Sequence, residues 1–520
     1  MPDSTEQTAT PSATQNTTHR ALFARCATLE RGYNRDSLLL QMERRLGAAV
    51  AAATLVLSVR GAASTSCERA IAQHLEGATI TRAETVPADA EPFYVPRAFC
   101  RVQMTMTPTS DSDIKAEVWL PADGWNGKFQ AVGNGDAAGV LSYDEMAAAV
   151  ARGYATSSTD TGHVGNTLAF ALGHREKYID FGYRALHEMT VKAKAVIKTY
   201  YGEPARQAYW NGCSQGGRQG ITEAARFPLD YDGIIAGAAA LEHMQLHASR
   251  LALNVFAHRS GDSYIPPQKY PAIHRAALAA CDTTDGLKDG LIADPTQCRF
   301  DPRVIECKSA DGPACLTPAQ VETARGMYEL LEPGSELEWA RLAGPEPLVN
   351  AVDPFKFVVF NDPAWDWHTF RLASDLPRAL EADHGVINYT DPNLDAFFAH
   401  GGKLLMYHGW SDPQIPPHSS VAYFNAVLQA AGESARARSI ELYMLPGVNH
   451  CSGGEGPDRF DAIGALEAWV AHGRAPARIV STGGATDTPI RTRPICPYPE
   501  RAVYNGDGSI DRAENFRCVG

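Results

Sequence analysis

The chain has 520 residues, of which 44% are hydrophobic and 21% are charged, and this composition is typical of a folded globular protein rather than a disordered one. Its formal net charge of −13 argues against nucleic acid or an anionic membrane surface as a partner. The length allows one large domain with an insertion, or two to three domains of ordinary size.

The N-terminal segment has the pattern of a processed leader. Residues 1–41 are polar at their start and show no core pattern, so we predict a disordered upstream extension. Two arginines then precede an apolar run over 46–59 that is too short for a confident membrane span, and small residues follow it. We therefore predict a signal peptide over 42–64, a true start at Met42 and a secreted or periplasmic protein with no membrane contact after cleavage; the alternative is a buried helix.

Eleven cysteines are present, and ten remain when Cys26 of the predicted extension is set aside. An even number of cysteines in a secreted chain indicates disulfides formed in an oxidising compartment. The sequence leaves the connectivity open, but one arrangement of four local pairs and one long-range pair uses every cysteine: Cys67–Cys100, Cys281–Cys298, Cys307–Cys315, Cys496–Cys518 and Cys213–Cys451.

Strand and helix patterns alternate in the first half of the chain, which indicates a parallel sheet with helical crossovers. Apolar runs predict strands at 99–106, 114–120, 129–132, 154–158, 208–210 and 233–237, and helical spacing predicts helices at 183–201 and 218–225. The strand pattern then stops and returns only at 403–409, with a last strand predicted at 441–445. We predict an α/β core formed by residues 65–242 and 396–520, with a lid domain inserted over 243–395.

A candidate nucleophile follows the strand predicted at 208–210. Ser214 lies in Gly212-Cys213-Ser214-Gln215-Gly216, which fits the elbow motif in which a sharp strand-to-helix turn exposes a serine hydroxyl. A serine is a weak nucleophile unless a base accepts its proton and a third group orients that base. Asp412 and His450 each follow a predicted core strand and complete the chain order of α/β hydrolases.

Other residues compete for these roles: His408 and His418 as the base, and Asp230 and Asp232 as the acid. The cysteines favour His450, because a disulfide between Cys213 and Cys451 would hold two Cα atoms ~5.5 Å apart, one residue away from Ser214 and His450. Two backbone amides would form the oxyanion hole, and we predict those of Gln215 and Gly135. The alternative for Gly135 is an ordinary tight turn.

The Cys-Ser, Asp and His-Cys motifs, in this order, resemble those of the tannase and feruloyl esterase family, which includes mono(hydroxyethyl) terephthalate hydrolases. The resemblance covers roughly residues 67–520 and includes the segments 125–129 and 157–163 and the final segment from Cys496 to Cys518. It implies an α/β-hydrolase core with an inserted lid domain that carries a calcium loop. The segment 133–136 has fewer glycines than many members of the family show.

The calcium loop has its own signature in residues 282–291. Asp282, Asp285 and Asp289 lie close together with two glycines between them, and calcium prefers carboxylate and carbonyl oxygens on a tightly turned chain. The alternative is a surface loop without an ion. The resemblance implies side-chain ligation by the three aspartates and carbonyl ligation by Leu287 and Leu291, around a structural Ca²⁺.

These observations predict a secreted serine carboxylesterase that hydrolyses small aromatic esters, hydroxycinnamoyl or galloyl, through an acyl-enzyme. The alternative within the same chemistry is a hydrolase of terephthalate or phthalate monoesters such as mono(hydroxyethyl) terephthalate. A third hypothesis, from another class, is a non-catalytic, calcium-stabilised binding protein on a hydrolase scaffold.

Overall fold

The computed structural model describes residues 67, 73–436, 438–483 and 490–520, all within the compact unit Ala63–Gly520. The extension predicted at 1–41 and the signal peptide predicted at 42–64 lie outside the described residues. Within the described ranges, no helix is both long and apolar enough to cross a membrane.

Fifteen strands form in the described part of the chain, nine of them in one central sheet. The strands are β1 Ala78–Val86, β2 Phe99–Met106, β3 Ile114–Pro121, β4 Lys128–Val132, β5 Ala138–Gly139, β6 Ala155–Thr159, β7 Gly165–Asn166, β8 Gln207–Cys213, β9 Gly233–Gly237, β10 Lys403–Gly409, β11 Ile440–Leu445, β12 Ile479–Gly483, β13 Arg491–Ile495, β14 Arg501–Tyr504 and β15 Phe516–Val519.

The central sheet has the order β1-β2-β3-β6-β4-β8-β9-β10-β11. The pairs from β1 to β6 are antiparallel, whereas β6, β4, β8, β9, β10 and β11 run parallel. All residues of β9 and of β11 are buried, as expected of parallel strands that are covered on both faces. The predicted α/β fold with parallel crossovers is confirmed.

Helices cover both faces of the sheet and fill the stretch between β9 and β10. They are α1 Tyr143–Ala151, α2 Arg175–Ile179, α3 Ala185–Tyr201, α4 Gln215–Arg226, α5 His243–Ala257, α6 Tyr270–Cys281, α7 Pro318–Met327, α8 Trp339–Leu342, α9 Val349–Asp353, α10 Leu372–Asp383, α11 Asp395–Ala399, α12 Pro417–Ala431 and α13 Ala462–His472. The helix α3 ends at Gly202, whose φ of 78° is the left-handed conformation that favours glycine at a helix C-terminus.

Two features of the fold differ from the sequence prediction. The strand β1 was not predicted, because its buried residues Ile80, Ala83 and Val86 alternate irregularly across a register shift. The prediction that the strand near 441–445 is the last one is wrong, since β12 to β15 follow it. These are two-stranded ribbons outside the main sheet, and the Cys496–Cys518 disulfide ties β15 to the end of β13.

The stretch between β9 and β10, where we predicted the lid, consists of helices and turns without a strand. It has its own hydrophobic cluster, in which Tyr270, Met327 and Trp339 are fully buried. It also contacts the loop after β11, because His274 of α6 lies between Glu336 at 2.8 Å and Glu455 at 3.2 Å. This imidazole therefore connects the inserted helices to a loop of the core.

The contact of His274 gives a prediction about pH. Burial lowers the pKa of His274, but hydrogen bonds to Glu336 and Glu455 outweigh burial and raise it to about 9. Since the unfolded value is near 6.5, the stabilisation is complete below about pH 6.5 and is lost as the pH rises through about 9. We expect the free energy of unfolding to fall by on the order of 2 kcal/mol over this pH range. This value is smaller than the full pKa shift would give, because Glu455 is 40% exposed and solvent screens its charge. Unfolding free energies from pH 6 to 10 test this, and equal slopes for the wild type and His274→Gln would contradict it.

Candidate active site

Ser214 lies in the sharp turn between β8 and α4. Its φ of 62° and ψ of −123° are strained for a residue with a side chain, and its amide is fixed by a hydrogen bond to the Gly237 carbonyl at 2.9 Å. The turn requires Gly212, because an added Cβ there would lie 2.4 Å from the carbonyl carbon of Gly216. This geometry is that of a nucleophile elbow, and it presents the serine at the carboxyl edge of the sheet.

Asp412 and His450 are hydrogen-bonded to each other beyond the same edge. The Nδ1 atom of His450 lies 2.6 Å from the Oδ2 atom of Asp412. The other carboxylate oxygen of Asp412, Oδ1, accepts hydrogen bonds from the amides of Gln414 at 2.7 Å and Ile415 at 3.0 Å. Asp412 is fully buried, and burial alone would raise its pKa. The charge of His450 and hydrogen bonds from His408 and His450 outweigh burial and hold that pKa well below its usual range, so the carboxylate stays ionised and orients His450.

His408 contacts the same carboxylate from the interior. Its Nε2 atom lies 3.0 Å from Oδ2 of Asp412 and its Nδ1 atom lies 2.8 Å from the hydroxyl of Ser420. His408 is completely buried and does not line the cavity that contains Ser214, whereas His450 does. The structure thus places His408 behind Asp412 in the interior, and it places His450 on the lining of the cavity that also contains Ser214.

The remaining competitors lie elsewhere. His418 is paired with Glu332. Asp230 pairs with His187 at 2.7 Å, and Asp232 accepts the amide of Ala208 at 2.7 Å. Both aspartates precede β9, at the edge of the sheet opposite to the elbow, because parallel strands place their amino ends together.

A cavity of about 530 Å³ contains Ser214, His450 and both predicted oxyanion donors, Gln215 and Gly135. Gln215 is the first residue of α4, so its amide has no acceptor within the helix. The loop before Gly135 is fixed on α4, since Asn134 donates its amide to the Gln219 side chain at 3.0 Å. One cavity is therefore lined by a serine, by an imidazole that is hydrogen-bonded to a carboxylate, and by the residues of both predicted oxyanion amides.

The inserted helices add basic side chains that we did not predict. His243, His247 and Arg250 of α5 line the cavity, together with Arg341. Burial, followed by nearby arginines, lowers the pKa of His243 to about 3, and the two imidazoles lie 3.2 Å apart at Nε2. Their spacing of i, i+4 and i+7 on one helical face is the sequence signal that would have grouped them.

Arg250 has no carboxylate partner within ion-pair distance among the described residues. Its guanidinium donates to the Gln414 carbonyl at 2.6 Å and to Asn350 Oδ1 at 3.4 Å, and its buried Nε atom has no acceptor in this part of the chain. Burial lowers its pKa to about 10, so it remains a cation at neutral pH. The cavity therefore combines Ser214 with a cationic guanidinium that has no direct ion pair within the described ranges, while the charges of Asp136 in the same cavity and of Asp412 act on it from a longer distance.

Five disulfides are present among the described residues, and they join the same cysteine pairs as the arrangement set out from the sequence. The pair Cys213–Cys451 brings two Cα atoms to 6.0 Å across a separation of 238 residues. Since Ser214 and His450 follow and precede these cysteines directly, this bond joins the elbow to the loop that carries the base.

The loop at 282–291 contains hard oxygen donors of the type that calcium prefers. In this structure Asp282 accepts the amides of Asp289 and Gly290, and Asp289 also pairs with Arg493 at 2.6 Å. Burial raises the pKa of Asp285. The donor chemistry thus fits a calcium ion, although within the described residues the three carboxylates do not form one convergent cluster.

Comparisons with known proteins agree on one family. A profile described as tannase and feruloyl esterase matches residues 100–338 and 338–519. The chain is 35% identical to an uncharacterised esterase of Xanthomonas campestris, and the match covers 90% of this chain and 93% of that relative. It is 32% identical to a probable feruloyl esterase B-1 of Aspergillus oryzae, and this match covers 83% of this chain and 86% of that relative.

Solved structures give the same picture. The crystal structure of feruloyl esterase B from Aspergillus oryzae superposes with a TM-score of 0.83 at 30% identity, covering 88% of this chain and 99% of that one. Tannin acyl hydrolase from Aspergillus niger superposes with a TM-score of 0.72 at 22% identity, over 86% and 92% of the two chains, which shows the shared fold.

Proposed function

The chain belongs to the tannase and feruloyl esterase family and is a carboxylic ester hydrolase, and from this premise we propose that it cleaves aromatic esters with Ser214 as the nucleophile. The observation that carries the proposal is a single cavity lined both by the serine of a strained elbow and by an imidazole that is hydrogen-bonded to a buried carboxylate.

The reaction begins with attack of Ser214 Oγ on the ester carbonyl carbon. His450 accepts the serine proton at Nε2, while its Nδ1–H donates to Asp412, which stabilises the imidazolium. The amides of Gln215 and Gly135 bind the negative oxygen of the tetrahedral intermediate. His450 then gives the proton to the departing alcohol, and an acyl-enzyme remains. Water, deprotonated by His450, attacks this ester, and the free acid leaves as Ser214 regains its proton.

Hydrolysis rates on a panel of methyl esters test the aromatic preference. We expect methyl ferulate and methyl gallate to have kcat/KM values at least tenfold above that of methyl butyrate, with Ser214→Ala protein as the background. A preference for the aliphatic ester would contradict the proposal. Labelling of Ser214 by a fluorophosphonate distinguishes the esterase from a non-catalytic binding protein, which would not react.

Arg250 favours a second candidate, an ester whose acid part carries a free carboxylate. Mono(hydroxyethyl) terephthalate and the bis(hydroxyethyl) diester share the aromatic ring and the leaving alcohol, and they differ in whether the second carboxyl group is free and charged. A hydrogen bond to a charged group contributes about 1.5–3 kcal/mol, so we expect Arg250→Met to lower kcat/KM for the monoester by roughly 10- to 100-fold and to change the diester little. An equal loss for both esters would mean that Arg250 only supports the Gln414 loop.

We also propose a structural calcium ion at 282–291, held by Asp282, Asp285, Asp289 and the carbonyls of Leu287 and Leu291. The support is the donor chemistry of the loop, and none of these residues lines the cavity of Ser214. We expect a chelator to lower the melting temperature by several degrees while the hydrolysis rate at low temperature is kept, because an ion that binds only the folded state stabilises it. An unchanged melting temperature, together with a calcium-free elemental analysis, would contradict the site.

Secretion or export to a periplasm remains part of the proposal. Five disulfides support it, because such bonds persist in oxidising compartments. The family relation points to a small ester as the molecule that binds.

A further inference from the structure

A second cluster of metal-binding side chains lies away from the catalytic cavity. His187 of α3, Glu223 of α4 and Asp230 of the loop before β9 each place one ligand atom within 4.8 Å of the others. His187 Nδ1 is 2.7 Å from Asp230 Oδ2. Glu223 is fully buried, so this cluster differs from the exposed acidic groups that are common on protein surfaces.

Glu223 gives an independent indication of a missing ligand. Within the described chain, neither of its carboxylate oxygens accepts a hydrogen bond from an N–H or alcohol donor, and the carboxyl group of Asp230 lies beside it. The ammonium of Lys194 donates to the Asp230 carbonyl and forms no ion pair with Glu223 among the described residues. A buried carboxyl group whose oxygens accept no hydrogen bond is unfavourable, and a bound cation would supply the missing partner.

We propose that His187, Glu223 and Asp230 form a binding site for a divalent transition-metal ion such as zinc. One imidazole nitrogen and two carboxylate oxygens are a donor set that zinc accepts, and calcium or magnesium would prefer oxygen alone. The His187 side chain is 32% exposed, which leaves access for the ion and for a water as the fourth ligand.

The ion would have a structural role. Glu223 lies on the helix that begins directly after Ser214, and the other two ligands belong to neighbouring segments, so the ion would join α4 to α3 and to the start of β9. None of the three residues lines the catalytic cavity. The other candidate cluster, Cys307, Asp311 and Cys315, lacks free thiolates because its cysteines form a disulfide.

Zinc titration of tag-free, chelator-treated protein tests the site. We expect calorimetry to find one zinc ion that is lost in both Glu223→Gln and His187→Gln. The melting temperature of the wild type should rise by about 3 °C or more at a hundredfold excess over the dissociation constant. Glu188→Gln, next to His187 but paired with Lys192, is the matched control and should bind zinc as the wild type does.

Two results would overturn the proposal. One is a wild-type protein that binds no zinc and shows no shift in melting temperature, which would mean that Glu223 and Asp230 only share a proton. The other is the same zinc binding in the wild type and in both variants. Zinc at the cavity histidines His243 and His247 would instead inhibit hydrolysis and would be lost in His247→Asn, so the rate measurement separates the two places.

Discussion

Alanine in place of Ser214 is expected to lower the rate of ester hydrolysis by about 10⁴- to 10⁶-fold without unfolding the protein. Only the nucleophilic oxygen is lost, and the residue keeps its place between β8 and α4. Steady-state rates on methyl ferulate, with circular dichroism as the check on folding, measure the effect. Activity above a few per cent in cleanly purified mutant protein would contradict the assignment of the nucleophile.

The two histidines on Asp412 give the matched comparison. His450→Ala removes the base beside Ser214 and should lose as much activity as Ser214→Ala. His408→Ala removes one hydrogen bond to the same carboxylate, and a bond of about 1.4 kcal/mol corresponds to a roughly tenfold loss. Stability should fall as well, because His408 is completely buried. Equal rate losses for the two variants would contradict the proposal that His450 is the base and that His408 only supports Asp412.

Replacing both Cys213 and Cys451 by alanine is expected to lower kcat by about 100-fold even at temperatures where the protein remains folded. The bond joins the residue before the nucleophile to the residue after the base, and small misplacements in a catalytic site can have effects of this size. The chain-entropy model also gives about 5 kcal/mol of lost stability for a loop of 238 residues. Activity assays at low temperature and denaturant unfolding measure the two effects separately.

The Cys307–Cys315 pair is the control for this experiment. It closes a separation of only 8 residues among the inserted helices, for which the same model gives about 2.5 kcal/mol. Its double alanine variant should therefore lose some stability and keep kcat. If the Cys213/Cys451 variant keeps full kcat while folded, the bond stabilises the fold and does not position the catalytic residues. Peptide mapping without reductant checks both pairings directly.

The inserted helices complete the catalytic cavity. The sheet supplies Ser214, Asp412 and His450 from loops at its carboxyl edge, whereas Arg250, His243 and His247 come from α5. In the proposed mechanism the core supplies the residues of the ester chemistry, and the insertion adds the cation of Arg250 and two neutral imidazoles to the space that a substrate would enter. Exchanging side chains of α5 should therefore change which acid is accepted more than how fast a good substrate reacts.

The sequence by itself determined the fold class and most of the central sheet. Buried parallel strands are short apolar runs, so β9 and β10 were predicted with the bounds that the structure has. The elbow motif, the order of Ser214, Asp412 and His450, and the cysteines beside two of them are local patterns, and they suffice to recognise the family. The roles of these residues, the calcium ion and the signal peptide remain predictions.

Only the tertiary structure decided which side chains meet. His408 lies near the end of β10 and His450 follows β11, and packing alone places His408 in the interior and His450 at the cavity. Asp230 and Asp232 are not candidates for the acid beside His450, because both precede β9 and lie at the edge of the sheet opposite to Ser214. The spacing of His243, His247 and Arg250 could group them on one face of α5, but the sequence does not show that this face lines the cavity, nor that the Glu223 cluster forms. Hydrophobic periodicity shows which face of a helix is buried and not which distant segment that face contacts.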